Sequence, residues 1–327
     1  MSANNPIFSR NKNFDEAAPF DTLKTEHFLP AIKESIKIAN IYIDEIASSG
    51  EHPTFENTIL ALENSSEHLD IASSIYYHLF SAEAGEELEG LSEEISGLLA
   101  KFSNDLYLNK DLFEKILHVD NNSSGNSKDE QRLIKVYLRK FIRNGADLKE
   151  EDKDTLRKID SDLSALSPKF SSNLRQAINN YELWIDKEAD LEGLPQMAID
   201  AAKEAATSKK KKNKWLFTLQ SPSMIPVMRF LKDRTLRQDI STAFSTKCLN
   251  GEFDNSDIIK KTVKLKHERA MLLGYKNYAE YVLEERMAGE VSGVYDLLDR
   301  LYDKAYPVAA NEIAELKTFA EAEDGLK

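Results

Sequence analysis

The run Ile32-Lys-Glu-Ser-Ile36-Lys-Ile-Ala39-Asn-Ile-Tyr-Ile43-Asp-Glu-Ile46 decides the fold class. Its apolar residues Ile32, Ile36, Ala39, Ile43 and Ile46 recur at steps of 4, 3, 4 and 3, which places them on one face of a helix. Thr25 stands where a cap belongs, and Ser48-Ser49-Gly50 ends the pattern. The same stripe recurs further along the chain. From Thr54 it runs through Phe55, Ile59, Leu62, Leu69 and Tyr76; from about Glu86 it takes Leu88, Leu91, Ile95, Leu98, Phe102 and Leu106. Between Glu151 and Asn180 it passes through Leu156, Ile159, Leu163, Leu166, Phe170, Leu174 and Ile178, with Pro168 expected to kink the helix. Long amphipathic helices joined by short turns bury their stripes against one another. The predicted fold is therefore mainly α, one or more bundle-like lobes.

Two short runs break the helical pattern: Tyr181-Glu-Leu-Trp-Ile185 and Lys214-Trp-Leu-Phe-Thr-Leu219. Each concentrates aromatic and aliphatic residues, as strands do. They flank a helical stretch around 197–207 and predict a small two-strand element, parallel or antiparallel. Residues 1–24 read as loop. Asp120–Ser127 and Asn144-Gly145 mark further breaks, and no fixed-period repeat points to a solenoid. At 327 residues, the chain divides into a helical region 1–150 and a second helical region 151–327 carrying the β element.

Charge and composition remove several functional classes. There are 43 Lys+Arg against 56 Asp+Glu, a net charge of −13, which opposes binding to a phosphate backbone. No nucleic-acid partner is expected. Nor is a membrane, because no run approaches the length of an apolar span. The single cysteine, Cys248, permits no internal disulfide and fits a reducing compartment. Met1 to Asn13 is polar and has no secretory character. The expected location is the cytoplasm, unless a leader has been trimmed.

Local chemistry offers four candidates, each with a plainer reading. His267-Glu268-Arg269-Ala270-Met271 approaches the His-Glu-x-x-His of zinc peptidases, but Met271 stands where the second imidazole is needed, and no two of the six histidines are four apart. The loop from Asp120 to Gln131 has the early oxygens and Gly125 of a calcium loop, yet Gln131 replaces the bidentate glutamate and Lys128 repels a cation. Lys209 to Lys212 and Lys214, beside Trp215, read as a hydrated turn rather than a nucleic-acid patch. Cys248 falls on an apolar helix phase and is expected to pack. No phosphate loop or nucleophile elbow occurs. The residues by themselves describe a large helical protein with no catalytic, cofactor or metal site.

Several longer strings resemble the M3 family of zinc oligopeptidases, in its peptidyl-dipeptidase and oligopeptidase A branch. They are Pro19-Phe-Asp-Thr-Leu-Lys-Thr-Glu-His-Phe-Leu-Pro-Ala31, Pro53-Thr-Phe-Glu-Asn-Thr-Ile59, Leu108-Asn-Lys-Asp-Leu-Phe113, Arg139-Lys-Phe-Ile-Arg-Asn-Gly145 and Leu166-Ser-Pro-Lys-Phe-Ser-Ser-Asn173. The longest match is Ala270-Met-Leu-Leu-Gly-Tyr-Lys-Asn-Tyr-Ala-Glu-Tyr-Val-Leu-Glu-Glu-Arg-Met-Ala288. In this last string Gly274 can end one helix and Asn277 can cap the next, with Tyr278, Tyr281 and Val282 on its buried face.

The resemblance implies a parent protein of two helical lobes around a channel that admits short peptides, zinc at its floor, and dipeptides released from the C-terminus. It also implies that the peptidase domain starts at about residue 233. The family's His-Glu-x-x-His and downstream glutamate ligand have no counterpart here. The expectation is an N-terminal part that forms channel wall and scaffold, binds no zinc of its own, has the catalytic half as its partner and is inactive alone. The competing readings are a stand-alone helical binding or scaffold protein and an unrelated enzyme using carboxylates.

Overall fold

A computed structural model describes residues 5–9, 17–83 and 85–324. The first 24 residues lie partly outside these; within them Pro6–Phe8 form a single 3-10 turn with Ile7 buried. The opening stripe is α1 (Thr25–Ser48), and Phe28, Ala31, Ile32, Ala39, Ile43 and Ile46 are buried. Thr25 is its first helical residue rather than its cap. The Lys24 N–H is taken up by Nδ1 of His27 at 3.0 Å, so an imidazole closes this end.

The stripe that begins at Thr54 is not one helix. Thr54 and Asn57 cap each other, with Thr54 N–H donating to Asn57 Oδ1 at 2.8 Å and Asn57 N–H to Thr54 Oγ1 at 3.2 Å. A π-helical turn follows at Phe55–Leu60, then α2 (Ala61–Ser65) and α3 (Glu67–Glu83). Ser66 breaks the run, and its hydroxyl donates to Asp70 at 3.1 Å. Ile59, Leu62, Leu69 and Tyr76 still share one buried face.

Next come α4 (Glu86–Tyr107), α5 (Lys110–Asn121), α6 (Lys128–Arg143) and α7 (Glu150–Asn180). α1 packs on α3, α4 and α5, α5 on α6, and α7 lies along α4. Their shared core includes Phe28, Ile32, Tyr76, Ile95, Ile116 and Phe141. Tyr76 donates to the Leu88 carbonyl at 3.0 Å, and burial pushes its hydroxyl up to about 12. α7 runs unbroken through Pro168. It is pinned to α4 by Arg175–Glu89 at 2.5 Å and Arg157–Asp105 at 2.7 Å.

The C-terminal end of α7 reaches a second core. Here β1 (Leu183–Ile185) and β2 (Trp215–Phe217) pair antiparallel, Leu183 opposite Phe217 and Ile185 opposite Trp215. The two strands are joined through α8 (Gln196–Ser208), which packs on β2 and on α9 (Ser221–Phe230). Ile185, Phe217, Val227, Leu231 and Ile240 fill this core, the last from α10 (Arg234–Thr246). The remaining helices are α11 (Ser256–Leu272), α12 (Tyr278–Leu283) and α13 (Val291–Asp324). By contacts the chain divides into two compact units, Met1–Leu265 and Lys266–Lys327.

The loop before α6 illustrates how capping fixes these helices. Ser127 Oγ accepts from Glu130 N–H at 3.3 Å, while Glu130 Oε2 accepts from Ser127 N–H at 2.9 Å and from the Asn126 amide at 3.1 Å. The Asn126 amide, then the Ser127 N–H, hold the Glu130 carboxyl below the usual carboxylate range. Ser127→Ala is expected to lower stability by about 1 kcal/mol, read as a shifted urea midpoint near neutral pH. A group with a lowered folded value stabilises above its ordinary range and loses that contribution as acid titrates it. That acid-sensitive contribution rests on the Ser127 N–H and the Asn126 amide, which Ser127→Ala keeps, so both proteins lose it alike and the deficit should stay nearly constant with pH.

Candidate functional site

The string 270–288 folds within the second unit as a helix-turn-helix corner. Gly274 ends α11 at φ +86°, and Asn277 Oδ1 accepts from Glu280 N–H at 2.9 Å to start α12. Three tyrosines converge there. Tyr275 and Tyr278 lie 5.1 Å and 6.0 Å from Tyr281, ring centre to ring centre, and Arg269 Nη1 donates to the Tyr281 hydroxyl at 3.1 Å. Lys266 sits 5.1 Å above the Tyr278 ring, and the Tyr275 hydroxyl donates to Glu284 at 2.6 Å. The corner is held by aromatic and cation–π contacts. Tyr278, Tyr281 and Val282 are half-buried rather than buried, so they form its packing face without a sealed core.

Beyond this corner, α13 presents a long uncovered apolar surface. From Tyr295 to Glu323 every side chain except Ala320 is exposed. Tyr295, Leu298, Tyr302, Ala305, Ala309 and Leu316 follow steps of 3, 4, 3, 4 and 7. Leu297, Leu301, Val308 and Phe319 form a second stripe beside them. At 100° per residue the two stripes together cover about half of the helix circumference. Asp296, Asp299, Arg300, Asp303, Lys317 and Glu321 take the other half, while Glu312 and Glu315 interrupt the apolar half towards its C-terminal end. Tyr302 and Tyr306 stack at 5.0 Å along the apolar side. A stripe this broad belongs to a helix buried on one side, and here it faces solvent. This face was not singled out from the sequence, although its spacing is legible there.

The residues singled out from the sequence do not assemble into a reactive site. His267 is exposed on α11, and among the described residues no three His, Cys, Asp or Glu side chains come together as a metal site. A catalytic zinc centre needs three protein ligands, so these residues do not fit one. The calcium-like loop is bonded to its own neighbouring helices. Asp120 pairs with Lys135 at 2.7 Å, Asn122 turns back to the His118 carbonyl at 2.8 Å, and Ser127 caps α6.

Lysines of the basic run are paired beside the sheet, Lys209 with Glu182 and Lys214 with Asp186 at 2.7 Å. Lys210 and Asn213 adopt φ +60°, which makes this segment a tight turn. Cys248 is not on a helix phase. It lies past the end of α10 with φ +59°, partly buried, and burial pushes its thiol up. No described helix is long and apolar enough to cross a membrane.

Residues 227–327, the stretch that holds the tyrosine corner and α13, match the model of peptidase family M3. Over all of its length the chain is 33% identical to oligopeptidase A of Haemophilus influenzae, of which it covers 48%. It is 30% identical over 99% of its length to dipeptidyl carboxypeptidase of Escherichia coli, again covering 48%. A probable cytosolic oligopeptidase A of Arabidopsis thaliana is 30% identical over 97% of this chain, with 46% of that protein covered. The chain spans about half the length of the curated relatives it matches.

Proposed function

We propose, because this chain belongs to peptidase family M3, that it is the scaffold and channel-wall part of a zinc peptidase acting on short peptides. In this reading zinc, its ligands and the catalytic base lie in the remainder of the protein. The peptidase domain starts near residue 233, close to where the family match begins at residue 227. The similarity to a protein named dipeptidyl carboxypeptidase supports release of dipeptides from the substrate's C-terminus. The similarity to a probable cytosolic oligopeptidase supports a cytoplasmic location.

The observation that carries the reading is α13. A helix apolar over half its circumference, inside the family-matched residues, implies that further chain covers it. The narrow task left to this part is to shape the channel and limit which peptides enter.

The test compares residues 1–327 with the full-length protein on a short internally quenched peptide. Residues 1–327 supplied with zinc are expected to show no hydrolysis. The full-length protein is expected to cleave the peptide and to lose that activity on chelation. Zinc-dependent cleavage by residues 1–327 alone would place the catalytic centre in this chain and overturn the assignment.

A further inference from the structure

Two histidines 66 positions apart in sequence meet at the surface of the first core. His52 lies in the turn between α1 and the π-helical segment, and His118 lies in the last turn of α5. Their Nε2 atoms are 3.1 Å apart. Two imidazole nitrogens held about 2.0–2.1 Å from one tetrahedral ion stand roughly 3.3 Å from each other, so the observed spacing is close to that of a two-histidine chelate.

The two nitrogens are also within hydrogen-bonding distance of each other, and the ring centres lie 4.5 Å apart with the planes at 86°. An ion entering between them would replace that hydrogen bond.

Neighbouring groups prepare the pair. The Asn122 amide nitrogen donates to the His118 carbonyl at 2.8 Å and lies 3.2 Å from His118 Nε2. A nitrogen that donates to a carbonyl presents a donor to the imidazole as well, which favours the His118 tautomer with Nε2 unprotonated, and an ion would displace this amide from the Nε2 lone pair. The His52 carbonyl accepts from Asn57 at 3.0 Å, and Lys115 ties the Ser49 carbonyl to α5 at 2.6 Å. The backbone on both sides is thus held before any ion arrives. The C-terminal end of α5 adds a partial negative charge.

We propose that His52 and His118 form a binding site for a borderline divalent transition cation of the Zn²⁺, Ni²⁺ or Cu²⁺ class, with water completing its shell. Two imidazole nitrogens and the nearby Lys115 give no purchase to Ca²⁺ or Mg²⁺, which need oxygen ligands and negative charge. The bound ion would clip the 49–54 turn to α5. The proposal is independent of the peptidase reading and of any zinc elsewhere in the protein.

The test uses the untagged chain, titrated with Ni²⁺ by calorimetry and with Cu²⁺ by electron paramagnetic resonance. One equivalent is expected to bind, with a copper signal coupled to two imidazole nitrogens. His52→Gln and His118→Gln should each weaken binding by about tenfold or more, since a two-point chelate becomes a single contact. His267→Gln should change nothing. His52 is exposed, so its variant tests the site even where His118→Gln perturbs α5. Unchanged binding in His52→Gln, or a wild-type copper signal without two-nitrogen coupling, would overturn the site.

Discussion

Gly193→Ala is expected to lower the stability of the second core by about 3 kcal/mol or more. Gly193 sits at φ +97°, where a side chain is strained in any surroundings, and the surroundings here are full. An added Cβ would lie 2.1 Å from the Phe230 carbonyl oxygen and 3.3 Å from the Lys232 amide nitrogen. Both are backbone atoms, so no side-chain rotation relieves the overlap. The approach cannot widen freely either, because the Lys232 N–H donates to the Glu192 carbonyl at 2.8 Å. Leu191 and Leu231, each 2% exposed, anchor the two segments in the core on either side.

The Glu192–Lys232 ion pair beside them is exposed and contributes little. Both tryptophans, Trp184 and Trp215, lie in the adjoining sheet, so urea unfolding followed by their fluorescence reports on this core directly. Gly90→Ala is the control. It lies within α4 with open space at its Cβ, and should hold or raise stability slightly. Equal urea midpoints for Gly193→Ala and the wild type would show that the contact is not a constraint.

What the sequence makes legible, and what it hides, follows from the range of each interaction. Helical stripes are local, so the faces of α1, α4 and α7 can be read from spacing alone. The two strands are legible by composition, but their antiparallel pairing depends on the path of α8 between them, which spacing does not encode. Capping is half-legible. Asn277 and Ser127 act as their residue types suggest, whereas His27 closes α1 where Thr25 looked the better choice.

The Thr54 stripe reads as one helix because the apolar residues keep their phase through it. The π-helical turn and the break at Ser66 are accompanied by local side-chain bonds, Thr54 with Asn57 and Ser66 with Asp70, that leave no periodic trace. Cys248 lies in the apolar phase of α10, yet the helix stops two residues earlier. His52 and His118 meet only because α1 and α5 pack together, and nothing within a local window joins them.

The isolated chain is expected to associate with itself, and α13 is expected to be the cause. Ten of its large apolar side chains are between 51% and 66% exposed, and together they present roughly 1,000 Å², well above the largest patch of an ordinary monomer. Covering that area is worth about 25 kcal/mol as an upper estimate, more than the roughly 4–15 kcal/mol lost on association. Some surface will therefore be found for it, the remainder of the protein when present and a second copy when absent.

Residues 1–327 should bind a hydrophobic dye strongly and sediment as dimers or larger species as concentration rises. Leu298→Glu with Tyr302→Glu places two charges in the middle of the stripe and should make the chain monomeric, with a several-fold loss of dye binding. The first core is distant in sequence from these positions and draws none of its buried residues from α13, so its unfolding midpoint should not move. The same pair introduced into the full-length protein should abolish peptide cleavage, because there it would bury two unpaired carboxylates. A wild-type chain that stays monomeric and binds no dye would mean that α13 needs no cover, and the structural argument for a missing half would fall with it.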